Sequence, residues 1–319
     1  MARHFADRLT DAIVAKDAPA VVNIDPVPDR LPAEFRPAAA TGRETDPAGV
    51  LQGMRAFCLR LIDIVAPLVP VVKFNVACFE PFHAAGIQVY DDLIAEASRR
   101  GLVVIGDVKR GDVGHTAAQY AQAHFNEAPP AATKTPDAIT INGYLGWDGV
   151  KPFIDVARDQ GKGVFILVRT SNDSAASIQD VVTQDGRKVH EILASLVAQW
   201  ADESDTLGDS GYTSVGAVVA TRRSDDAARL RAAMPRSVFL VPGYGAQGGK
   251  AEDYKHYFKA DGTGAIVAAG RSIVYAHGSP AYQQRFPGDW SRCVEQACRD
   301  FIGDLRRIVP AHGAKTPPH

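Results

Sequence analysis

Long apolar runs, cysteine and net charge are all scarce in this sequence, and each shortage removes a class of protein. The greasiest stretch, Ile62 to Val72, is broken by Asp63, Pro67 and Pro70 and is too short to span a bilayer. At the start, MARHFADRLTDAIVAKD carries a charge every few positions, so it lacks the apolar core of a secretory signal. Four cysteines in 319 residues make no disulfide framework, and Cys293 and Cys298 have no second clustered pair or histidine spacing to make a zinc site. Free thiols in a cytosolic protein are the expectation. Lys and Arg number 35 against 37 Asp and Glu, a formal net charge of −2. With no basic run either, a dedicated nucleic-acid or acidic-membrane binder is not expected. H-E-x-x-H, G-x-S-x-G and Walker A motifs are missing too.

What is present is an alternation. Eight short β-branched runs stand out: Val21–Asp25, Val71–Asn75, Leu102–Lys109, Ala138–Gly143, Gly163–Ser171, Ser214–Ala220, Ser237–Tyr244 and Gly264–Arg271. Near-continuous apolar runs of this kind suit parallel strands buried on both faces. Helical patterns lie between most of them. Met54, Phe57, Leu61, Ile64 and Leu68 fall at three- and four-residue steps, and His83–Arg100, His115–Phe125 and Asp148–Gln160 read as helices. Phe5, Leu9 and Ile13 mark a short amphipathic helix before the first strand. Eight strands alternating with helices predict a single-domain (β/α)8 barrel, with a doubly wound sheet as the alternative. Residues 26–48 read as a long loop and 172–213 as an insertion carrying one helix, His190–Glu203. The tail 310–319 is expected to fray.

Polar residues gather where the strands end. Asp25, Lys73 with Asn75, Asp107 with Lys109, Asn142, Thr170 with Ser171, and Arg271 close six of the eight runs. In a barrel these ends share one rim, where active sites lie. Residues i and i+2 of a strand point the same way, so Lys73/Asn75 and Asp107/Lys109 should project as pairs. In Asp107–Thr116 (DVKRGDVGHT), Lys109 stands between Asp107 and Asp112, and acidic neighbours hold an ammonium protonated. Such an ammonium can neutralise and then protonate a carbanion, while a neighbouring carboxylate repels a substrate carboxylate. The set suits a decarboxylation.

The segment VPGYGAQGGK, Val241–Lys250, supplies glycines whose N–H groups can approach an anion, and Gln247 adds an amide. Arg271 at the next strand end adds a cation suited to phosphate. Phosphate sites in barrels commonly follow strands seven and eight. Gly243-x-Gly245-x-x-Gly248 also fits the dinucleotide fingerprint literally, but it comes after seven strands, and Asp261 does not end a strand.

Together these residues resemble the orotidine 5′-phosphate decarboxylase family, in its longer bacterial branch, from Phe5 to about Tyr275. The matching motifs are Asn23–Pro26 (NIDP), Val72–Asn75 (VKFN), Asp107–Thr116, Arg169–Asn172 (RTSN), Pro242–Gly249 (PGYGAQGG) and Gly270–Ile273 (GRSI). Asn23–Ile24 departs from the Gly–Leu of many members, a change expected to bear on strand packing. His115 falls where the family pattern varies and receives no role. The resemblance implies a cofactor-free, metal-free conversion of orotidine 5′-monophosphate to UMP and CO2. It implies a Lys73–Asp107–Lys109–Asp112 network, with Lys109 protonating pyrimidine C6 and Asp107 beside the departing carboxylate. Asp25 and Lys73 would bind ribose hydroxyls, Ser171 the pyrimidine edge, and Gln247 and Arg271 the phosphate under the Gly243–Gly249 loop. Asn75 and Gly270 belong to the same substrate-binding set. Asp112 and Thr116 would reach the neighbouring site of a homodimer. Two alternatives stay open: a related barrel enzyme that acts on a sugar phosphate with Mg2+, and a nucleotide binder without activity. The RTSN motif and the Gln247 loop favour the decarboxylase over the former.

Overall fold

Barrel closure follows from a two-residue alternation in every strand. In the computed structural model, which describes residues 3–37, 46–126, 134–221, 223–245 and 251–309, the strands are β1 (Ala20–Ile24), β2 (Val71–Asn75), β3 (Val103–Arg110), β4 (Ala138–Asn142), β5 (Gly163–Arg169), β6 (Val215–Val219), β7 (Phe239–Pro242) and β8 (Ala265–Ala269). They form a closed parallel barrel in chain order, β8 pairing with β1. The chain is thus a (β/α)8 barrel and not a doubly wound sheet. One set of strand side chains, including Val22, Phe74, Val104, Ile139, Ile166 and Val267, packs outward against the helices. The alternate set, including Val21, Val71, Ile105, Ala138, Phe165 and Ile266, fills the barrel.

Helices return the chain between strands: α1 (Phe5–Lys16), α2 (Pro47–Val65), α3 (His83–Arg99), α4 (Gly114–Phe125), α5 (Trp147–Asp159), α6 (Ala176–Gln179), α7 (Val189–Glu203), α8 (Ser224–Ala233), α9 (Arg271–Val274), α10 (Pro280–Arg285) and α11 (Trp290–Ile308). Their ends follow local chemistry. Asp46 caps α2 by accepting from Ala48 and Gly49 N–H at 3.0 and 3.1 Å, Pro47 opens it, and Pro67 lies just beyond its end. Among the described residues no helix is long and apolar enough to cross a membrane.

The predicted strands overshoot by one or two residues at several ends, because strand-end residues leave the ladder to enter loops. Ser171 lies beyond β5, and Arg271 opens α9 instead of closing β8. Of residues 26–48, the described part holds two 3-10 turns, Pro28–Arg30 and Ala33–Phe35, before α2 begins. Within 172–213, α7 buries Ala194, Val197, Trp200 and Ala201 and packs on β5, β6 and α8. The segment ahead of it carries α6 and a bridge between Val182 and Lys188. The tail 310–319 lies outside the described residues.

Helix α1 closes the end of the barrel opposite the strand C-termini. Phe5 meets Phe165 edge-on at 5.9 Å between ring centres. Gly163 makes room for it, since a Cβ there would stand 2.3 Å from the Phe5 ring. Phe5→Ala opens a cavity at this plug and is expected to cost about 3–5 kcal/mol of stability, read as a lower denaturant midpoint with an unchanged slope.

Candidate active site

Three ionised side chains meet on the inner face where β2 and β3 end. Lys73, the middle residue of β2, is buried because its neighbours Val72 and Phe74 take the outward positions. Its Nζ donates to Oδ2 of Asp107, and Nζ of Lys109 donates to Oδ1 at 2.6 Å. The Lys73 and Asp107 side chains are 7% and 10% exposed, whereas Lys109 is 49% exposed and faces the mouth. Burial would raise the Asp107 carboxyl, but the two ammonium groups outweigh it and hold the carboxyl well below its ordinary value. Burial likewise opposes the Lys73 charge, and Asp107 and Asp25 more than compensate, leaving Lys73 above its ordinary value.

Lys109 sits in the left-handed region at φ 47°, where the β3–β4 register slips between Gly106 and Arg110. A non-glycine residue there costs roughly 1–2 kcal/mol. Strain of this kind persists where surrounding contacts over-determine it. The contact here is Thr140, which sequence reading passed over. Its hydroxyl accepts the Lys109 backbone N–H at 3.0 Å and donates to Asp107 Oδ1 at 2.9 Å. The signal for it was its place as a polar residue between Ile139 and Ile141 in an apolar strand.

The other candidate residues lie at or beyond the C-terminal ends of neighbouring strands. Asp25 follows β1, and its carboxyl is raised by burial, with the Lys73 charge pulling it back in part. Its Oδ1 and that of Asn23, two residues earlier in β1, are buried with no described partner. Tyr275 pins this exit: its hydroxyl donates to the Asp25 carbonyl at 3.0 Å and accepts from Val27 N–H at 2.6 Å. Asn75 turns its side chain to accept from Ala77 N–H at 3.2 Å, capping a 3-10 turn.

Ser171 lines a cavity of about 480 Å3 with Thr170, Asn172, Thr221 and Gly243. The segment after β5 holds it there. Arg169 forks onto Asp180 at 3.0 and 2.9 Å, while Gln179 accepts from Thr170 N–H and donates to its hydroxyl, both at 2.8 Å. Gly243 has φ 107°, a conformation that suits glycine. Gly270 lies against β1, where a Cβ would be 3.2 Å from that of Asn23. Arg271 is exposed, with no ion-pair partner among the described residues. Gln247, Gly248 and Gly249 lie outside the described residues. The chain resumes after them in a 3-10 run, Ala251–Tyr257.

Asp112 stands apart from the two lysines within one chain. Its carboxylate accepts from Val113 N–H at 2.8 Å, and Thr116 is exposed in the first turn of α4.

The structure is thus a parallel barrel with a Lys–Asp–Lys cluster at the strand C-termini, and the glycine-rich segment Pro242–Gly249 follows β7 in sequence. Residues 53–284 match the model of the "Orotidine 5′-phosphate decarboxylase / HUMPS family". The chain is 39% identical over 276 residues, 86% of its length and 89% of its relative's, to the orotidine 5′-phosphate decarboxylase of Rhodopirellula baltica. It is 33% identical over 305 residues to that of Clostridium perfringens SM101, covering 96% of this chain and 99% of the other. The solved OMP decarboxylase of Leishmania donovani superposes with TM-score 0.66 at 26% identity, covering 96% and 98% of the two chains. The chain belongs to the orotidine 5′-phosphate decarboxylase family.

The buried cluster sets a pH dependence of stability. The folded Asp107 carboxyl is depressed below an unfolded value of about 3.9, so its contribution is present above about pH 4 and is lost as pH falls toward the folded value. Asp107→Asn leaves the Lys73 ammonium buried without its anion and is expected to cost about 3–5 kcal/mol at pH 7. Between about pH 5 and pH 3 the variant should lose less further stability than the parent in urea titrations. A parallel decline of the two would contradict the pairing.

Proposed function

We infer that this chain converts orotidine 5′-monophosphate to UMP and CO2, and we propose that Lys109 supplies the proton. The observation that carries the reading is the Asp107 carboxylate held ionised between two ammonium groups at the barrel mouth. With the pyrimidine seated against Ser171, the substrate carboxylate would lie beside Asp107. The C6–carboxylate bond breaks, CO2 leaves, and the electron pair stays on C6. Lys109 neutralises that charge and transfers a proton from Nζ to C6, regaining one from solvent. Preorganised charge in a dry pocket is strong because little reorganisation is required as the carbanion forms. Asp25 and Lys73 bind ribose hydroxyls in this reading, and Asn75 and Gly270 complete the walls. Arg271 and Gln247 hold the phosphate. Its binding energy, remote from C6, assembles the site. No step draws on a metal or cofactor.

The reading extends to a homodimer. Val113, Tyr120 and Leu145 are exposed, and Tyr144 is 78% exposed. Gly149 brings the two segments together, since a Cβ there would approach both the Asp112 carbonyl and Leu145. Apolar side chains concentrated beside Asp112 and Thr116 support a second copy covering this face. Asp112 and Thr116 would then enter the neighbouring site.

Lys109→Ala is expected to keep the fold and lower UMP formation by about 10⁴-fold or more, the upper range for a lost proton donor. Near-parental turnover would remove Lys109 from the role. Activity should survive EDTA, whereas a sugar-phosphate enzyme of the Mg2+-dependent kind would lose it. Mixing inactive Lys109→Ala with inactive Asp112→Ala and letting subunits exchange should restore roughly a quarter of parental activity, since half the dimers are mixed and each holds one intact site. No recovery would show that each site draws on a single chain.

A further inference from the structure

Thr140 is the buried hydroxyl on which two reacting groups converge. It is 1% exposed and sits mid-strand on β4. A backbone N–H can only donate, so the hydroxyl must accept from Lys109 N–H and send its own proton to Asp107 Oδ1. Both bonds are therefore fixed in direction, and the group has one arrangement. Because the β3–β4 ladder slips between Gly106 and Arg110, Lys109 N–H is met by this side chain and not by a strand carbonyl. Three donors thereby hold the carboxylate: Lys73 at Oδ2, with Lys109 and Thr140 at Oδ1.

We propose that Thr140 is a positioning residue for the decarboxylation, locking the Asp107 carboxylate plane and the left-handed backbone of Lys109 so that Nζ faces the developing negative charge. The inference rests on the reaction proposed above. It adds a role for a side chain that touches neither the substrate nor the transferred proton. Valine in its place keeps the branched shape but provides neither bond. Asp107 can then turn about its last torsion, and the Lys109 backbone loses the acceptor that offsets its strain.

The test measures kcat and KM for orotidine 5′-monophosphate in the parent, Thr140→Val, Thr140→Ala and Thr140→Ser, with thermal melting of each. Thr140→Val is expected to lower kcat by about 100-fold, the loss that a misplacement of about 1 Å produces, while KM changes little. Thr140→Ser, which keeps the hydroxyl, should return to within a few-fold of the parent. Thr140→Ala replaces the valine variant if that fails to fold, with the same expected split between kcat and KM. A folded Thr140→Val or Thr140→Ala with near-parental kcat overturns the proposal. So does a serine variant no better than valine, or a loss that follows melting temperature across all variants. If the parent itself releases no CO2 from orotidine 5′-monophosphate, the functional reading fails first and takes this role with it.

Discussion

The whole mouth of this barrel is arranged around one buried anion. A carboxylate in the position of Asp107 is costly to ionise unless its charge is answered, and here Lys73 and Lys109 do so from opposite oxygens. The cost and the compensation constrain everything nearby. Lys73 must lie mid-strand with its stem among buried residues, and Lys109 must adopt a backbone that ordinary residues avoid. The pairing contributes little net stability by the usual balance of desolvation against attraction. What it provides is a fixed field: an anion that cannot take up a proton at neutral pH, next to an ammonium group on the open side.

The division of labour between the two lysines follows from exposure. Lys73 is enclosed, its ammonium stabilised by Asp107 and Asp25, so it serves as a permanent charge. Lys109 shares the same carboxylate but reaches the open side. A proton donor needs this second situation, because it must meet the reacting carbon and then recover its proton. Two residues of the same type, two positions apart in the network, thus differ in how far the barrel covers them, which is the difference the proposed proton-donor role of Lys109 requires.

Much of the architecture was legible because a parallel barrel writes its pattern plainly. All eight runs became strands, and the residues flagged at their ends form a rim, since period-two alternation and strand polarity leave little freedom. Boundaries drifted where loop chemistry took over, as at Arg271, which opens a short helix beyond β8. Thr140 escaped notice because a threonine inside a β-branched run satisfies strand propensity, which blunts the mark left by its hydroxyl between Ile139 and Ile141. Its meaning depends on the register slip between β3 and β4, which no local pattern announces. The Asp112 position was legible as sequence but not as geometry, since its carboxylate is turned to its own backbone.

Asp25 shows how binding and stability are opposed at this rim. Burial raises its carboxyl, Lys73 and the Asn75 backbone N–H recover only part of that loss, and Oδ1 meets no described protein donor. A group whose folded value is raised weakens the fold as pH climbs past its unfolded value, so an ionised Asp25 is a standing cost near neutrality. A neutral side chain would relieve it. Retaining the acid makes sense if a ligand hydroxyl supplies the missing bond, because an unpaired buried acceptor converts into affinity for the group that satisfies it and into rejection of one that does not. Asn23, beside it on the same inner face with its own unmet oxygen, carries the same logic one layer deeper. The Asn–Ile variation in β1 therefore places a polar group toward the barrel interior and not merely a bulkier one in its packing.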